Sequence, residues 1–241
     1  MDVSTNHKVH NLVGIHKHRR TLHIDVTESN MTEFWESSFR DKQEMWGFEP
    51  ADSAITTLEL FKKHGLNKIL IPGFGYGRNA SIFTDNGFQV TGIEISETAI
   101  DLAKKHVENT VRVYHGSVNS MPFDKEIYDG IFCYALIHLL PATERIKLIQ
   151  DCYNQLMPNG YMVFIAISKA DAKYGDGKEI SKDTYETKHG VTLFFYDSDS
   201  VEAEFGKYGL IEAKEINELA KNGGNKPSLR LWHIICRKEV N

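Results

Sequence analysis

Between Lys68 and Ser168, short apolar segments alternate with segments of helical periodicity, and this alternation restricts the fold more than any other feature. The apolar segments predict strands at 69–71, 88–94, 111–115, 128–134 and 161–168, and the intervening periodicity predicts helices at 78–86, 96–108 and 141–157. Right-handed crossovers place each helix against the sheet, so strands connected in this way form a parallel sheet that is covered on both faces. The chain is therefore predicted to have an α/β fold with its core at 67–168.

Two helices are predicted before this core, at 30–43 and 51–64. We expect them to form a cap within residues 29–66. Residues 1–28 are rich in histidine and arginine and contain no apolar segment typical of a secretory signal. We expect them to be a flexible basic tail rather than a metal-binding tract.

The segment after the core predicts a loop and then a hairpin. Residues 169–190 are polar and follow the fifth strand, where long loops often carry function. Residues 191–241 predict a short strand, a helix with Asp197 as its N-cap, and two strands at 210–216 and 229–237. Two strands without a helix between them form an antiparallel hairpin. The whole chain is therefore predicted to form a single domain around a seven-stranded, mostly parallel sheet with helices on both faces.

Composition narrows the classes of partner. The chain has 241 residues and a net charge of -5, so it offers no electrostatic footprint for nucleic acid or an anionic membrane. The three cysteines are widely spaced, which suggests neither disulfides nor a zinc site and favours a reducing, cytoplasmic location. The longest apolar run, 131–140, is shorter than the roughly 20 residues that span a bilayer. A small-molecule ligand is the expected partner.

Three glycines, Gly73, Gly75 and Gly77, lie where the first strand leads into the next helix. Glycine lets the backbone turn sharply and lets a ligand approach closely, and the first N–H groups of a helix are free donors. The next strand ends at Glu94, whose carboxylate can accept hydrogen bonds from both hydroxyls of a ribose. The pattern predicts a nucleoside cofactor across this turn. The alternatives are a tight turn alone and an acid that caps the following helix.

Two nucleoside cofactors fit such a turn, NAD and S-adenosylmethionine. For NAD the third glycine of G-x-G-x-x-G would stand at position 78, where this chain has Arg78. The terminal hairpin also departs from the doubly wound sheet of dehydrogenases. An NAD-dependent oxidoreductase is therefore the weaker alternative.

Several segments resemble class I S-adenosylmethionine-dependent methyltransferases, a family with a Rossmann-like fold. The resemblance runs in register through residues 68–104, Gly116–Phe123, Tyr128–Asp129 and Leu156–Gly160. It is nearest to the thiopurine and tellurite-resistance branch, in which an aromatic helix before the core folds over the site. Here the similar aromatic residues are Phe34, Trp35 and Trp46.

The resemblance implies a cofactor site for S-adenosylmethionine. Its residues are Gly73, Phe74, Gly75, Gly77 and Arg78 around the methionine part, Glu94 at the ribose, Ile95 against the adenine, Ser117 and Val118 at the adenine edge, Tyr134 facing the methionine part, and Trp46 as a lid. Two positions depart from the family. Ile71 stands where many members have an acid, and Ser117 stands where an aspartate usually holds the adenine amino group, so these two contacts are not expected in the usual form.

Methyl transfer from a sulfonium is an in-line displacement, so the protein mainly supplies proximity and orientation. A hydroxyl or amine acceptor must also lose a proton, and His138, after the fourth strand, is the candidate base because histidine has an unperturbed pKa of about 6.5. The alternative is a histidine that packs under the next helix. Tyr174, Asp176, Tyr185 and His189 in the long loop are further candidates for facing the acceptor.

The sequence thus predicts methyl transfer from S-adenosylmethionine to a small-molecule acceptor, with no metal. Two alternatives stay open besides the oxidoreductase, namely a methyltransferase that acts on a protein and a cofactor-binding module without catalysis. Neither the acceptor nor the oligomeric state follows from the sequence, because members of the family share the cofactor half and differ in their loops.

Overall fold

The computed structural model describes residues 26–107, 111–219, 221 and 228–240. Most of the predicted tail at 1–28 and most of the segment that joins the last two strands lie outside the described residues.

The described residues form a central seven-stranded sheet in the order β3-β2-β1-β4-β5-β10-β9. Its strands are β1 (Lys68–Pro72), β2 (Gln89–Glu94), β3 (Arg112–His115), β4 (Tyr128–Tyr134), β5 (Leu156–Ile167), β9 (Leu210–Glu218) and β10 (Leu229–Arg237). Strands β1 to β5 pair in parallel, and β10 runs antiparallel to both β5 and β9. The predicted sheet with one reversed strand in a terminal hairpin is confirmed.

Six α-helices are present in the described part of the chain. They are α1 (Val26–Lys42), α2 (Asp52–Lys63), α3 (Ser81–Thr84), α4 (Glu97–Ala103), α5 (Ala142–Gln155) and α6 (Ser198–Phe205). Two caps explain where helices begin: Ser96 Oγ accepts from the Ala99 amide at α4, and Asp197 forms the predicted cap of α6 as part of a capping box.

Two helix predictions need correction. The first helix begins at Val26, four residues before the expected start. The helix predicted at 78–86 is only the single turn α3, because three glycines with positive φ and a run of turns occupy the residues before it. Backbone in that conformation does not propagate an α-helix.

The region 169–190 was predicted as a loop, and this prediction is wrong in part. It contains β6 (Lys178–Ser181) and β7 (Thr184–Glu186), which join β8 (Thr192–Phe194) in a three-stranded antiparallel sheet. All residues of β6 are exposed and those of β7 are half-buried. Such strands show no clear alternation of apolar residues, so their sequence does not reveal them.

The core lies on both faces of the central sheet. In β1, Ile69 and Ile71 belong to the same apolar cluster as Phe61 of α2, whereas Leu70 belongs to the cluster that contains Leu148 of α5. This follows from the two-residue period of a strand, which sends successive side chains to opposite faces. The carboxyl edge of the sheet lies between these two layers.

Candidate functional site

A cavity of about 1100 Å³ lies at the carboxyl edge of the parallel strands. One end, which we name the glycine end, is lined by residues that follow β1, β2 and β3, namely Gly73, Gly75, Glu94, Ile95, Ser117 and Val118. The other end, which we name the lysine end, is lined by residues that follow β4 and β5 and by the second sheet, namely His138, Leu139, Lys173, Lys182, Leu193 and Phe194. Because parallel strands all end at this edge, chain segments far apart in sequence meet here.

The glycine turn keeps the wall of the cavity free of side chains. Gly73 and Gly75 have φ values of 72° and 59°, which L-residues rarely adopt. A Cβ on Gly73 would lie 3.0 Å from Leu136 Cδ2, whereas a Cβ on Gly75 would meet only Phe39 Cζ at 4.0 Å. The space in front of Gly75 is therefore open.

Phe74 and Gly77 pack the glycine turn against its neighbouring residues. A Cβ on Gly92 of β2 would lie 2.3 Å from Phe74 Cδ2, so the Phe74 ring packs directly onto the strand. A Cβ on Gly77 would lie 2.9 Å from Val107 Cγ1 and 3.3 Å from Phe74 Cε1. Gly77 is buried, packs against these side chains and is not among the residues that line the cavity.

Glu94 joins the end of β2 to the glycine turn. Its Oε2 accepts from the Gly75 amide at 2.7 Å, and its Oε1 accepts from the amides of Ile95 and Ser96, both at 2.9 Å. Burial raises the pKa of Glu94, and the three amide hydrogen bonds oppose that shift. A carboxylate offers about four lone-pair sites. Oε2 therefore keeps one acceptor site for a ligand in this arrangement.

Helix α1 forms one wall of the cavity with Met31, Trp35 and Phe39. It is attached to the core through Glu36, which accepts hydrogen bonds from the hydroxyls of Ser96 and Thr98 at the start of α4. Burial alone would raise the pKa of Glu36, but these bonds outweigh it and lower the pKa. The wall is thus held beside the loop that carries Glu94.

Trp46 continues this aromatic wall. It lines the cavity, is 41% exposed, and stacks on Tyr76 with a centroid distance of 6.2 Å and an interplanar angle of 8°. The Tyr76 hydroxyl donates to the Gly47 carbonyl at 2.7 Å and accepts from the Trp46 amide at 3.2 Å. Tyr76 therefore fixes the segment that follows α1 to the glycine turn.

Tyr134, at the end of β4, lies between the two ends of the cavity. The Arg78 guanidinium stands 5.6 Å from the centre of its ring, and burial raises the pKa of Tyr134 to about 12. The hydroxyl is therefore protonated at neutral pH. The next residue, Ala135, has φ of 52°, a strained conformation of the kind that occurs most often at functional sites.

His138 lies in a 3₁₀ turn at the lysine end and is 7% exposed. Its Nδ1 accepts from the Ile167 amide at 3.2 Å. Burial lowers the pKa of His138 to about 3, and the positive charge of Lys173 contributes to the lowering. A neutral imidazole whose Nδ1 is an acceptor carries its proton on Nε2. His138 therefore presents a donor, not a base, in this arrangement.

The two residues that the resemblance places at the adenine edge, Ser117 and Val118, lie in the cavity wall. Val118 begins a 3₁₀ turn, and Ser117 caps that turn because its Oγ accepts a hydrogen bond from the Asn119 amide at 3.2 Å. The Ser117 oxygen is therefore already engaged by the backbone of its own turn.

Comparison with known proteins agrees with this geometry. Residues 70–164 match a family model described as methyltransferase domain. The match covers less than half of the chain. The ubiquinone biosynthesis O-methyltransferase of Coxiella burnetii is 28% identical over 104 residues, which are 42% of this chain and 44% of that protein. The chain therefore matches less than half the length of this relative.

Two solved structures have a similar fold. The 1,6-didemethyltoxoflavin-N1-methyltransferase of Burkholderia thailandensis, solved with 1,6-didemethyltoxoflavin and S-adenosylhomocysteine, has a TM-score of 0.67 at 16% identity and covers 88% of this chain and 89% of its own. TehB from Haemophilus influenzae has a TM-score of 0.61 at 18% identity and covers 85% of this chain and 67% of its own. At these identities the similarity concerns the fold alone.

The carboxyl edge of the sheet brings the predicted site residues together in one cavity wall, with Gly77 as the exception. The residues on the cavity wall are Trp46, Gly73, Phe74, Gly75, Arg78, Glu94, Ile95, Ser117, Val118, Tyr134 and His138. The loop candidates behave differently, since Tyr174, Asp176, Tyr185 and His189 do not line the cavity. Tyr174 and Tyr185 pack edge to face on each other and on Phe195, and so hold the second sheet together.

Sequence reasoning missed Lys173, Lys182 and Glu218, all of which line the cavity. Glu218 is 3% exposed and accepts from the amides of Asp52 and Ser53 at the start of α2. A carboxylate at a helix N-terminus is favourable, but this partner is remote in sequence and no local motif signals it. Within the described residues, no cluster of His, Cys, Asp or Glu could hold a metal ion and no helix could cross a membrane.

Proposed function

We propose that this chain is an S-adenosylmethionine-dependent methyltransferase that acts on a small-molecule acceptor. The observation that carries the proposal is one continuous cavity between the glycine turn with Glu94 and the apolar wall behind Tyr134. A pocket of roughly 300 to 1,000 Å³ holds one drug-sized ligand. The cavity of about 1100 Å³ therefore has room for a cofactor and a small acceptor together.

The residues at the glycine end fit this cofactor. The open space at Gly75 lets a ligand approach the backbone, and Oε2 of Glu94 has a free acceptor site for a ribose hydroxyl. Ile95 and Val118 offer apolar surface for a purine. When bound, the cofactor supplies a methyl group on a positively charged sulfur, which needs no acid or base to leave.

The protein's own part is to bind and orient. Glu94 holds the nucleoside, Tyr134 separates the two ends of the cavity, and the Nε2 proton of His138 donates to an oxygen or other acceptor atom of the substrate. Because His138 offers no free lone pair, it positions the substrate and does not deprotonate it. Proximity and orientation then supply the main share of the rate enhancement.

Finer assignments belong to the same proposal. The aromatic α1 and the Ile71-Pro72 sequence before the glycine turn support the thiopurine and tellurite-resistance branch. Residues 29–66 act as a cap over the cofactor, since α1 and Trp46 contribute a wall of the cavity. The three cysteines are free and buried, which suits the reducing cytoplasm.

Calorimetry on the full chain tests the proposal. S-adenosylmethionine and S-adenosylhomocysteine should bind, and NAD should not. Gly75→Ala should weaken this binding, whereas Gly87→Ala should leave it unchanged. Both glycines have positive φ, but only the methyl group at Gly75 enters the cavity. Failure of either sulfur nucleoside to bind would contradict the proposed function.

A further inference from the structure

The lysine end of the cavity has a mostly apolar wall. Leu139, Val191, Leu193 and Phe194 line it, and Ile180 at its rim is 50% exposed. An exposed apolar side chain beside an apolar cavity favours a ligand with an apolar body, because such a ligand covers it from water.

The cations around this end differ in whether they have a partner. Arg145 is paired with Glu204 at 2.8 Å, and Lys221 is paired with Asp52. In contrast, no acidic group in the described part of the chain pairs with the side chains of Lys173 and Lys182, and both lysines are exposed.

The acidic groups of the wall do not neutralise these two lysines. Glu94 accepts hydrogen bonds from the amides of Gly75, Ile95 and Ser96, and Glu218 accepts hydrogen bonds from the amides at the start of α2. Glu144, at the start of α5, is half-buried and forms no ion pair within the described residues. His138 adds no charge to this wall because burial keeps its ring neutral, and it lines the same cavity as Lys173 and Lys182.

We propose that the acceptor bound at the lysine end has an apolar body and one anionic group, whose charge is balanced by Lys173 and Lys182. The inference rests on the proposed function, since it concerns the second ligand of the same cavity. The apolar body lies against Leu193 and its neighbours, and the anion lies at the rim, where it stays partly hydrated and both lysines reach it without being desolvated.

A matched pair of fluorescent probes tests this assignment. 1-Anilinonaphthalene-8-sulfonate and N-phenyl-1-naphthylamine share one ring system and differ in the sulfonate. Each is titrated into the full chain saturated with S-adenosylhomocysteine. The sulfonate should bind more tightly than the neutral probe, and the difference should shrink in concentrated salt because the pairs are exposed to solvent.

Variants identify the residues responsible. In the double variant Lys173→Ala/Lys182→Ala, the sulfonate probe should bind roughly fivefold more weakly. This is the loss expected when two solvent-exposed ion pairs are removed together. Binding of the neutral probe should be unchanged. Lys178→Ala is the matched control, since Lys178 is an exposed lysine of the same sheet that does not line the cavity. Glu144→Gln should tighten binding of the sulfonate by removing a like charge.

Any of four results would overturn the inference. They are equal affinity of the two probes, equal losses for both probes in the double variant, a loss of sulfonate affinity in Lys178→Ala as large as that in the double variant, and absence of binding by both probes. Calorimetry with S-adenosylhomocysteine on the same samples keeps the two proposals apart, because loss of the proposed function abolishes that binding, whereas an error about the acceptor leaves it intact.

Discussion

Glu94→Ala separates what this carboxylate does for the fold from what it does for a ligand. Its removal leaves three amides, those of Gly75, Ile95 and Ser96, without their acceptor. An unsatisfied buried donor costs about 1 to 3 kcal/mol. Water can enter the space that the side chain leaves, so we use the lower bound and expect a loss of about 3 kcal/mol in the free energy of unfolding. For a chain of this size that lowers Tm by roughly 6 to 12 °C.

Glu94→Gln is the milder variant of the same position. Its amide oxygen can keep the two bonds to Ile95 and Ser96, but its NH₂ group then faces the Gly75 amide, so one hydrogen bond is lost. We expect a loss of about 1 to 3 kcal/mol in stability. The glutamine NH₂ group cannot accept a hydrogen bond from a ribose hydroxyl. The binding free energy of S-adenosylhomocysteine should therefore weaken by about 1 to 3 kcal/mol as well.

Thermal unfolding and calorimetry measure the two effects independently. Affinity is measured well below the Tm of each variant, so that only folded protein is titrated. If Glu94→Ala were as stable as the wild type, the reasoning about the three amides would be refuted. Wild-type affinity of a folded Glu94→Gln would remove Glu94 from the ribose contact while leaving its structural role in place.

Three further predictions concern stability. Glu218→Ala removes the acceptor at the start of α2 and should cost about 1 kcal/mol, with unchanged affinity for S-adenosylhomocysteine. His138→Leu should cost about 1 to 3 kcal/mol because the Ile167 amide loses its acceptor, and His138→Asn should restore most of that loss; equal Tm values for the two variants would contradict this. Burial lowers the pKa of His138 to about 3 and of His233 to about 4, so the unfolded chain binds more protons below pH 6.5 and stability falls as the pH drops. By pH 4.5, two pH units below the unfolded pKa, each histidine should lower the free energy of unfolding in urea by about 3 kcal/mol, and His233→Gln should remove its share.

The fold could be predicted where burial produces a pattern. The strands β1, β4 and β5 are mostly buried and apolar, so their residues stand out against the helices between them. In the second sheet the short strand β8 was predicted, but β6 and β7 were not, because they are held by backbone pairing and by rings such as Tyr174 rather than by an apolar face. Backbone hydrogen bonds are available to any sequence and therefore leave little trace in it.

The same distinction applies to the site. The glycine end is local in sequence, since Gly73, Gly75 and Glu94 need particular residue types within one strand-turn-strand unit. The residues of the lysine end come together through the topology, since Lys173 lies in the turns after β5 and Lys182 lies between β6 and β7. Ala135 shows a third case: a positive φ usually indicates glycine, and here alanine adopts it, so the residue type conceals the strain.

His138 shows how the fold changes the chemistry expected from a residue type alone. Its position after β4 follows from the sequence, and an unperturbed histidine near neutral pH is a natural base. Two contacts that only the fold supplies change this, because burial keeps the ring uncharged and the Ile167 amide occupies its free lone pair. The proton of the neutral ring then lies on Nε2. A site with a donor at its floor and unpaired lysines at its rim suits an acceptor that enters with negative charge more than one that must be deprotonated there.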